Sequence, residues 1–128
     1  MYVLYTNLLS AMMSVQPVGE VRSWLSVQSP DLLFTTAVCQ AEILSGIAIL
    51  PDGRRRLAMQ AAAWELFLDI FEGRILAFDT FAATAYAEIV AFRRRAGHPT
   101  HSVDLLIASV ARTEDAILVT LHGTVCAR

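Results

Sequence analysis

The chain contains no lysine, and several patterns that mark large protein classes are missing as well. It has no glycine-rich phosphate loop after a strand, no nucleophile elbow and no paired histidines at helical spacing, which argues against P-loop, serine-hydrolase and zinc-protease chemistry. No uncharged apolar run reaches the roughly 18 residues that a membrane-spanning helix needs, and no basic region leads into a signal-type apolar stretch. We therefore expect a cytoplasmic protein with no part in the membrane.

Cysteine is scarce, and Cys39 and Cys126 form neither a metal-binding spacing nor a disulfide framework. We expect two free thiols. A length of 128 residues predicts a single domain, residues 1–128, whose core needs no cross-links. The mean hydropathy of +0.51 is high for a soluble monomer, so we expect an apolar surface that is used in self-association.

The net charge is only −2, but the positive charge is clustered, because six of the ten arginines form triplets at positions 54–56 and 93–95. These triplets either contact RNA or an acidic partner, or they are solvated helix faces. The second triplet lies near a predicted helix C-terminus, where the helix dipole favours cations in any case.

Strand and helix patterns alternate along the whole chain. The predicted strands span residues 2–5, 32–36, 74–78 and 116–120, and the predicted helices span residues 6–14, 17–28, 37–50, 54–71, 79–96 and 102–113. This alternation predicts an α/β fold with a parallel sheet between helices and right-handed crossovers.

Two acidic residues stand in apolar surroundings. Glu42 lies within the predicted helix 37–50, which carries apolar residues on nearly every side, and a lone buried carboxylate is costly without a partner. It either reaches solvent, pairs with an arginine or has a functional role. Asp104 lies in a first helical turn, where the helix dipole stabilises an acid, so a structural reading of Asp104 is also open.

Polar residues follow the first and the last predicted strands. Asn7 and Thr120 either cap helices and turns or hydrogen-bond a metal-bound water or a phosphate. Carboxylates that meet at the carboxyl ends of strands repel each other, and Mg²⁺ or Mn²⁺ commonly relieves that repulsion. Such a site is suited to the hydrolysis of phosphodiesters.

Four short motifs occur in a fixed order on this alternation and cover almost the whole chain. They read Leu4-Tyr5-Thr6-Asn7, then Ala41-Glu42-Ile43-Leu44 with Gly46-Ile47 and Pro51-Asp52-Gly53-Arg54, then Val103-Asp104-Leu105-Leu106-Ile107-Ala108, and finally Leu118-Val119-Thr120. Together they resemble the motifs of PIN-domain ribonuclease toxins of the VapC/FitB type.

The resemblance implies a PIN-like three-layer sandwich, a homodimer and Mg²⁺-dependent endoribonuclease activity, with Mn²⁺ as a possible substitute. It also implies an RNA substrate and a cognate antitoxin that inserts a segment into the active site, with operator DNA reached only through the antitoxin. Glu42 and Asp104 fall on two of the family's metal-site acids. Asn7 and Thr120 fall on its supporting polar positions.

The chain departs from the family pattern at two acids. The first motif of the family reads Asp-Thr-Asn, and Tyr5 stands here in place of the aspartate; Val125 stands in place of the last acid, and His122 in place of a neighbouring asparagine. A phenol keeps its proton at neutral pH, so Tyr5 should weaken Mg²⁺ binding and fill part of the metal pocket. We hypothesise that Tyr5 is an inactivating substitution and that the departure after Thr120 reflects a frameshift, which the sequence of the parental gene would contradict if it encodes both.

Three functions remain open at this point. The first is a Mg²⁺-dependent endoribonuclease toxin, impaired in this chain. The second is a catalytically inactive module of the same fold that still captures its antitoxin, and the third, weaker one is a nucleotide-binding α/β domain, which the missing glycine-rich turn disfavours.

Overall fold

A five-stranded sheet forms the centre of the molecule. The computed structural model describes residues 1–14, 19–100 and 102–121 and the backbone of residues 123–126. The strands are β1 (Tyr2–Leu4), β2 (Leu33–Thr36), β3 (Ile75–Leu76), β4 (Ile117–Thr120) and β5 (Gly123–Cys126), and their order in the sheet is β3-β2-β1-β4-β5. The first four strands run parallel, as the alternation predicts, and β5 pairs antiparallel to β4.

Six helices flank the sheet. They are α1 (Thr6–Met12), α2 (Gly19–Ser26), α3 (Ala37–Ala48), α4 (Arg54–Glu65), α5 (Thr80–Arg95) and α6 (Val103–Thr113). A π-helical segment, Leu66–Ile70, continues α4, and a 3-10 turn, Pro30–Leu32, precedes β2. All six predicted helices are present with ends that differ by a few residues, and Pro17, the predicted start of the second one, lies outside the described residues.

The hairpin partner of β4 was not predicted. The sequence analysis places the last strand at 116–120, and this is wrong, because β5 follows it and pairs Ile117 with Cys126 and Thr120 with Gly123. The run Thr124–Cys126 is too short to show a strand period by itself. It becomes a strand because β4 offers it an unpaired edge.

The central strand β1 and its neighbour β2 are deeply buried. Val3 and Leu4 have no exposed surface, and the Thr35 hydroxyl on the neighbouring strand donates to the Leu4 carbonyl at 2.9 Å. Cys39 is also fully buried and is a free thiol, as expected. The thiol of Cys126 lies outside the described atoms.

Helix α3 is buried on one side only. Cys39, Ile43 and Ile47 face the core at helical spacing, whereas Leu44 on the opposite side is 47% exposed. The expectation that α3 has almost no solvent face is therefore wrong. Apolar residues on every side of a helix predict full burial only if other elements cover each side, and here one side stays at the surface.

The strand order creates a crevice at one edge of the sheet. The chain proceeds from β1 to β2 to β3 in one direction and then returns to place β4 on the other side of β1. At such a reversal the connections leaving the carboxyl ends of the two strands diverge, and ligands of α/β proteins bind there. A ligand-binding site is therefore expected in the crevice between the ends of β1 and β4. None of the described helices is long and apolar enough to cross a membrane.

Candidate functional site

The ends of β1 and β4 are tied together by an asparagine. Asn7 lies in the first turn of α1, directly after β1, and its Oδ1 accepts a hydrogen bond from the Leu121 backbone N–H at 3.2 Å. Thr120, half-buried, is the last residue of β4, so both polar residues named by the sequence analysis lie at this crevice. Asn7 is not the N-cap of α1, which is Tyr5, but its amide oxygen holds the backbone of the turn after β4, in agreement with a turn-capping role.

Glu42 reaches the same region from α3. It is half-buried, and its Oε1 accepts a hydrogen bond from the Thr6 hydroxyl at 2.6 Å. The short distance is typical of a bond between a hydroxyl and a charged carboxylate. The hydrogen bond from Thr6 therefore offsets part of the free-energy cost of placing an acid beside the core. No arginine pairs with Glu42 within the described residues.

Thr6 is the site residue that the sequence analysis missed. It follows Tyr5 at the end of the first predicted strand, and a polar residue at a strand end was the available signal. Its partner lies 36 positions away, so local patterns carry no trace of the contact.

Asp104 lies at the same edge of the sheet. It occupies the first turn of α6, which precedes β4 and starts at the carboxyl edge of the parallel strands. Its side chain is exposed, and its backbone N–H donates to the Ser102 hydroxyl, the N-cap of the helix, at 2.9 Å. The dipole of α6 favours a carboxylate at this position, so the location agrees with a structural role and with a binding role alike.

Tyr5 occupies the N-cap position of α1. Its carbonyl accepts from the N–H groups of Leu8 and Leu9, and its own N–H donates to Val119 at 2.9 Å. The side chain makes no capping hydrogen bond, because a phenol ring is too long to turn back on the first helical turn, and it packs half-buried against the core instead. At the tip of β1 the crevice thus has an aromatic ring in place of a short polar side chain.

The acids of the crevice do not form a complete metal site. Glu42 and Asp104 supply oxygen donors of the kind that Mg²⁺ prefers. Within the described residues, however, no group of three or more acidic, histidine or cysteine side chains comes close enough together to hold a metal ion. The residues present therefore do not fit a tightly bound divalent cation, and Tyr5 contributes no carboxylate at the end of β1. His122 lies outside the described residues, and of Val125 only the backbone pairing with Leu118 is described.

The arginine triplets lie on helix ends. Residues 54–56 form the first turn of α4, where Arg56 pairs with Asp52 at 2.6 Å, and residues 93–95 form the last turn of α5, where Arg93 donates to the Pro99 carbonyl at 2.9 Å. The second triplet is in the place that a helix dipole favours and the first is in the place that it disfavours. The two triplets thus differ in electrostatic cost.

Comparison with known protein families shows the class of this protein. The model of the family described as PIN domain matches residues 2–122, which is most of the chain, and the chain belongs to this family. The fold and family named by the sequence motifs are thereby confirmed.

Several named proteins are similar to this chain over most of their length. The chain is 32% identical over 111 residues to the plasmid stability protein StbB of Pseudomonas syringae pv. tomato, covering 87% of this chain and 80% of the relative. It is also 32% identical over 111 residues to the VapC ribonuclease Y4jK of Sinorhizobium fredii, covering 87% and 79%. Toxin FitB of Neisseria gonorrhoeae is 29% identical and is covered over 86% of its length, against 94% of this chain. A solved structure of FitAB bound to the IR36 DNA fragment superposes with a TM-score of 0.85 at 29% identity, over 94% of this chain and 84% of the other.

Proposed function

We propose that this chain is a PIN-domain toxin of a type II toxin–antitoxin system, and that its Mg²⁺-dependent endoribonuclease activity is impaired by Tyr5. The observation that carries the proposal is the hydrogen bond between Glu42 and Thr6 beside the β1–β4 crevice. The residue that follows β1 there is the aromatic Tyr5. The names VapC ribonuclease and Toxin FitB among its relatives support RNA as the substrate class and a toxin as the role.

The proposed site residues have distinct roles. Glu42 and Asp104 would hold Mg²⁺, or Mn²⁺ in its place, once a third carboxylate is present. Asn7 and Thr120 would orient groups at the strand ends. Tyr5 fills the position of the missing carboxylate and blocks it.

Neutralising the acids tests this assignment. In a Tyr5→Asp background, Glu42→Gln and Asp104→Asn should each lower the cleavage rate of a short RNA in Mg²⁺ on the order of a hundredfold, because each removes a charge that the cation requires. Asp31→Asn is the matched control, since it removes the same charge from an exposed residue of the 3-10 turn. Equal rates in all three variants would refute the site.

A second candidate function is an inactive binding module that captures the antitoxin. The packing of Tyr5 against the core favours it, because a ring held there by apolar contacts is not displaced at low cost. The structural relative FitAB, solved bound to a DNA fragment, supports an antitoxin partner. We infer that this chain would reach operator DNA only through that partner. If this candidate is correct, Tyr5→Asp should leave RNA uncut while the chain still forms a complex with the antitoxin encoded beside it, measured by co-purification.

A further inference from the structure

A cavity of about 210 Å³ opens beside the Glu42–Thr6 pair and extends between α1, α3 and α4. Its floor is apolar and includes Met59, and its polar groups are the hydroxyls of Thr6 and Ser10, the carboxylate of Glu42 and the guanidinium of Arg55. The cavity therefore joins the acidic side of the crevice to the first arginine triplet.

Arg55 is charged in an unfavourable place without compensation from a neighbouring acid. It lies in the first turn of α4, where the positive end of the helix dipole opposes a cation. Arg56 next to it offsets this cost through Asp52, whereas Arg55 has no ion pair within the described residues. A phosphate bound at Arg55 would be attracted by its guanidinium and by the dipole together, against the repulsion of the Glu42 carboxylate that lines the same cavity.

Gly46 lines the cavity without a side chain that would enter it. It lies within α3 and lines the cavity, and a Cβ built on it meets no other atom within 4 Å. Glycine inside a helix costs about 0.5–1 kcal/mol relative to alanine, so its presence here favours space over helix stability. A larger side chain at this position would occupy the cavity without disturbing the backbone.

We propose that this cavity binds a nucleotide of single-stranded RNA next to the bond that is cut, with Arg55 holding its phosphate. The arrangement fits a nucleotide because Arg55 offers a cation for the phosphate, the Ser10 hydroxyl and the Glu42 carboxylate can hydrogen-bond ribose hydroxyls, and the apolar lining contacts the rest. The inference rests on the proposed function, since it assigns a binding residue for the same substrate class.

Binding of a fluorescein-labelled single-stranded RNA in EDTA, followed by anisotropy, tests the inference without metal or cleavage. Arg55→Gln should weaken binding about tenfold, which corresponds to one lost charge-assisted contact, and should reduce the slope of log affinity against log salt by about 0.7. Arg54→Gln is the matched control, because it removes the same charge from the neighbouring residue, which does not line the cavity. Gly46→Leu should weaken binding by filling the cavity, whereas Gly46→Ala should retain most of it.

The outcomes separate the inference from the proposed function. Equal losses for Arg54→Gln and Arg55→Gln, or unchanged binding in Arg55→Gln and Gly46→Leu, would overturn the cavity assignment and leave RNA as the substrate. If neither this chain nor its Tyr5→Asp variant binds RNA, the proposed function fails and the inference fails with it.

Discussion

The backbone of Tyr5 has a role that any residue can perform, whereas its side chain lacks the short polar group that an N-cap position favours. Its carbonyl begins α1 and its N–H pairs with β4, so the main chain is satisfied. The side chain neither caps the helix nor offers a charge. A short acid or amide in this place would accept hydrogen bonds from the first turn of α1.

Replacing Tyr5 separates capping from metal binding. As the N-cap residue, Asp and Asn should each stabilise α1 by about 1 kcal/mol, and each loses the packing of the Tyr5 ring. Only Asp adds a negative charge beside Glu42. We therefore expect Mg²⁺ to raise the melting temperature of Tyr5→Asp and to leave those of Tyr5→Asn and the unchanged chain unaffected. A concentration of about 10 mM provides the excess that a weak site needs. Equal shifts in all three proteins, measured by differential scanning fluorimetry at constant ionic strength, would rule out a metal site at the end of β1.

The hydroxyl of Thr6 should matter for stability. Thr6→Val keeps the side-chain shape but leaves the half-buried Glu42 without its donor, so we expect a loss of about 1 kcal/mol in the free energy of unfolding. Thr6→Ser keeps the donor and should lose less. Urea denaturation measures both, and a Thr6→Val protein as stable as the serine variant would mean that water replaces the hydroxyl at no cost.

At the scale of the elements, α3 shows what a sequence pattern leaves undetermined. Its apolar residues predict a helix correctly, but the choice of buried side depends on the neighbours. The elements α1, α4, α6 and β2 pack against α3, and they leave Cys39, Ile43 and Ile47 buried but Leu44 47% exposed. The strand β5 was missed for a related reason, because its pairing depends on the free edge of β4. The four parallel strands and six helices were predictable because β-favouring apolar runs alternate with helical patterns and turn residues along the chain.

Two glycines at helices should respond to alanine with opposite signs. Gly46 lies inside α3 with open space around it, so Gly46→Ala should stabilise the protein by about 0.5–1 kcal/mol. Gly97 follows α5 with a φ of +77°. The N–H groups of Gly97 and His98 donate to the carbonyls of Arg94 and Arg93 in the last turn of the helix. Gly97→Ala should therefore destabilise by about 1 kcal/mol. Thermal unfolding of both variants checks this, and changes of the same sign would contradict the assigned backbone roles.

At the scale of the whole molecule, the high hydropathy appears partly on the surface. Trp64 is 72% exposed, and so is Phe81 on a different helix. Large apolar groups in water favour association, which agrees with the expectation of self-association from composition. The sequence predicts that apolar surface is available but not where it lies, because the burial of each residue is decided by long-range packing.

The chain should form a homodimer. Sedimentation velocity should show a species of twice the 14.1 kDa chain mass that persists when the salt concentration is raised, since apolar contacts are not screened by ions. A single species of 14.1 kDa at the highest soluble concentration would contradict this prediction.

Glu42, Asp104, Asn7 and Thr120 were named from sequence, but their contacts were not. Asn7 and Thr120 lie beside the ends of β1 and β4, Glu42 accepts from Thr6 at the start of α1, and Asp104 lies in the first turn of α6. The bonds Thr6–Glu42 and Asn7–Leu121 join residues far apart in the chain, so only the fold reveals them.

The most direct test of the account compares RNA cleavage by this chain and by its Tyr5→Asp variant in Mg²⁺, with EDTA as the control. The account predicts that only the aspartate variant cuts a mixed tRNA and mRNA pool and that EDTA stops it. If this chain cuts as well as the variant, position 5 is dispensable and the proposed metal site is wrong.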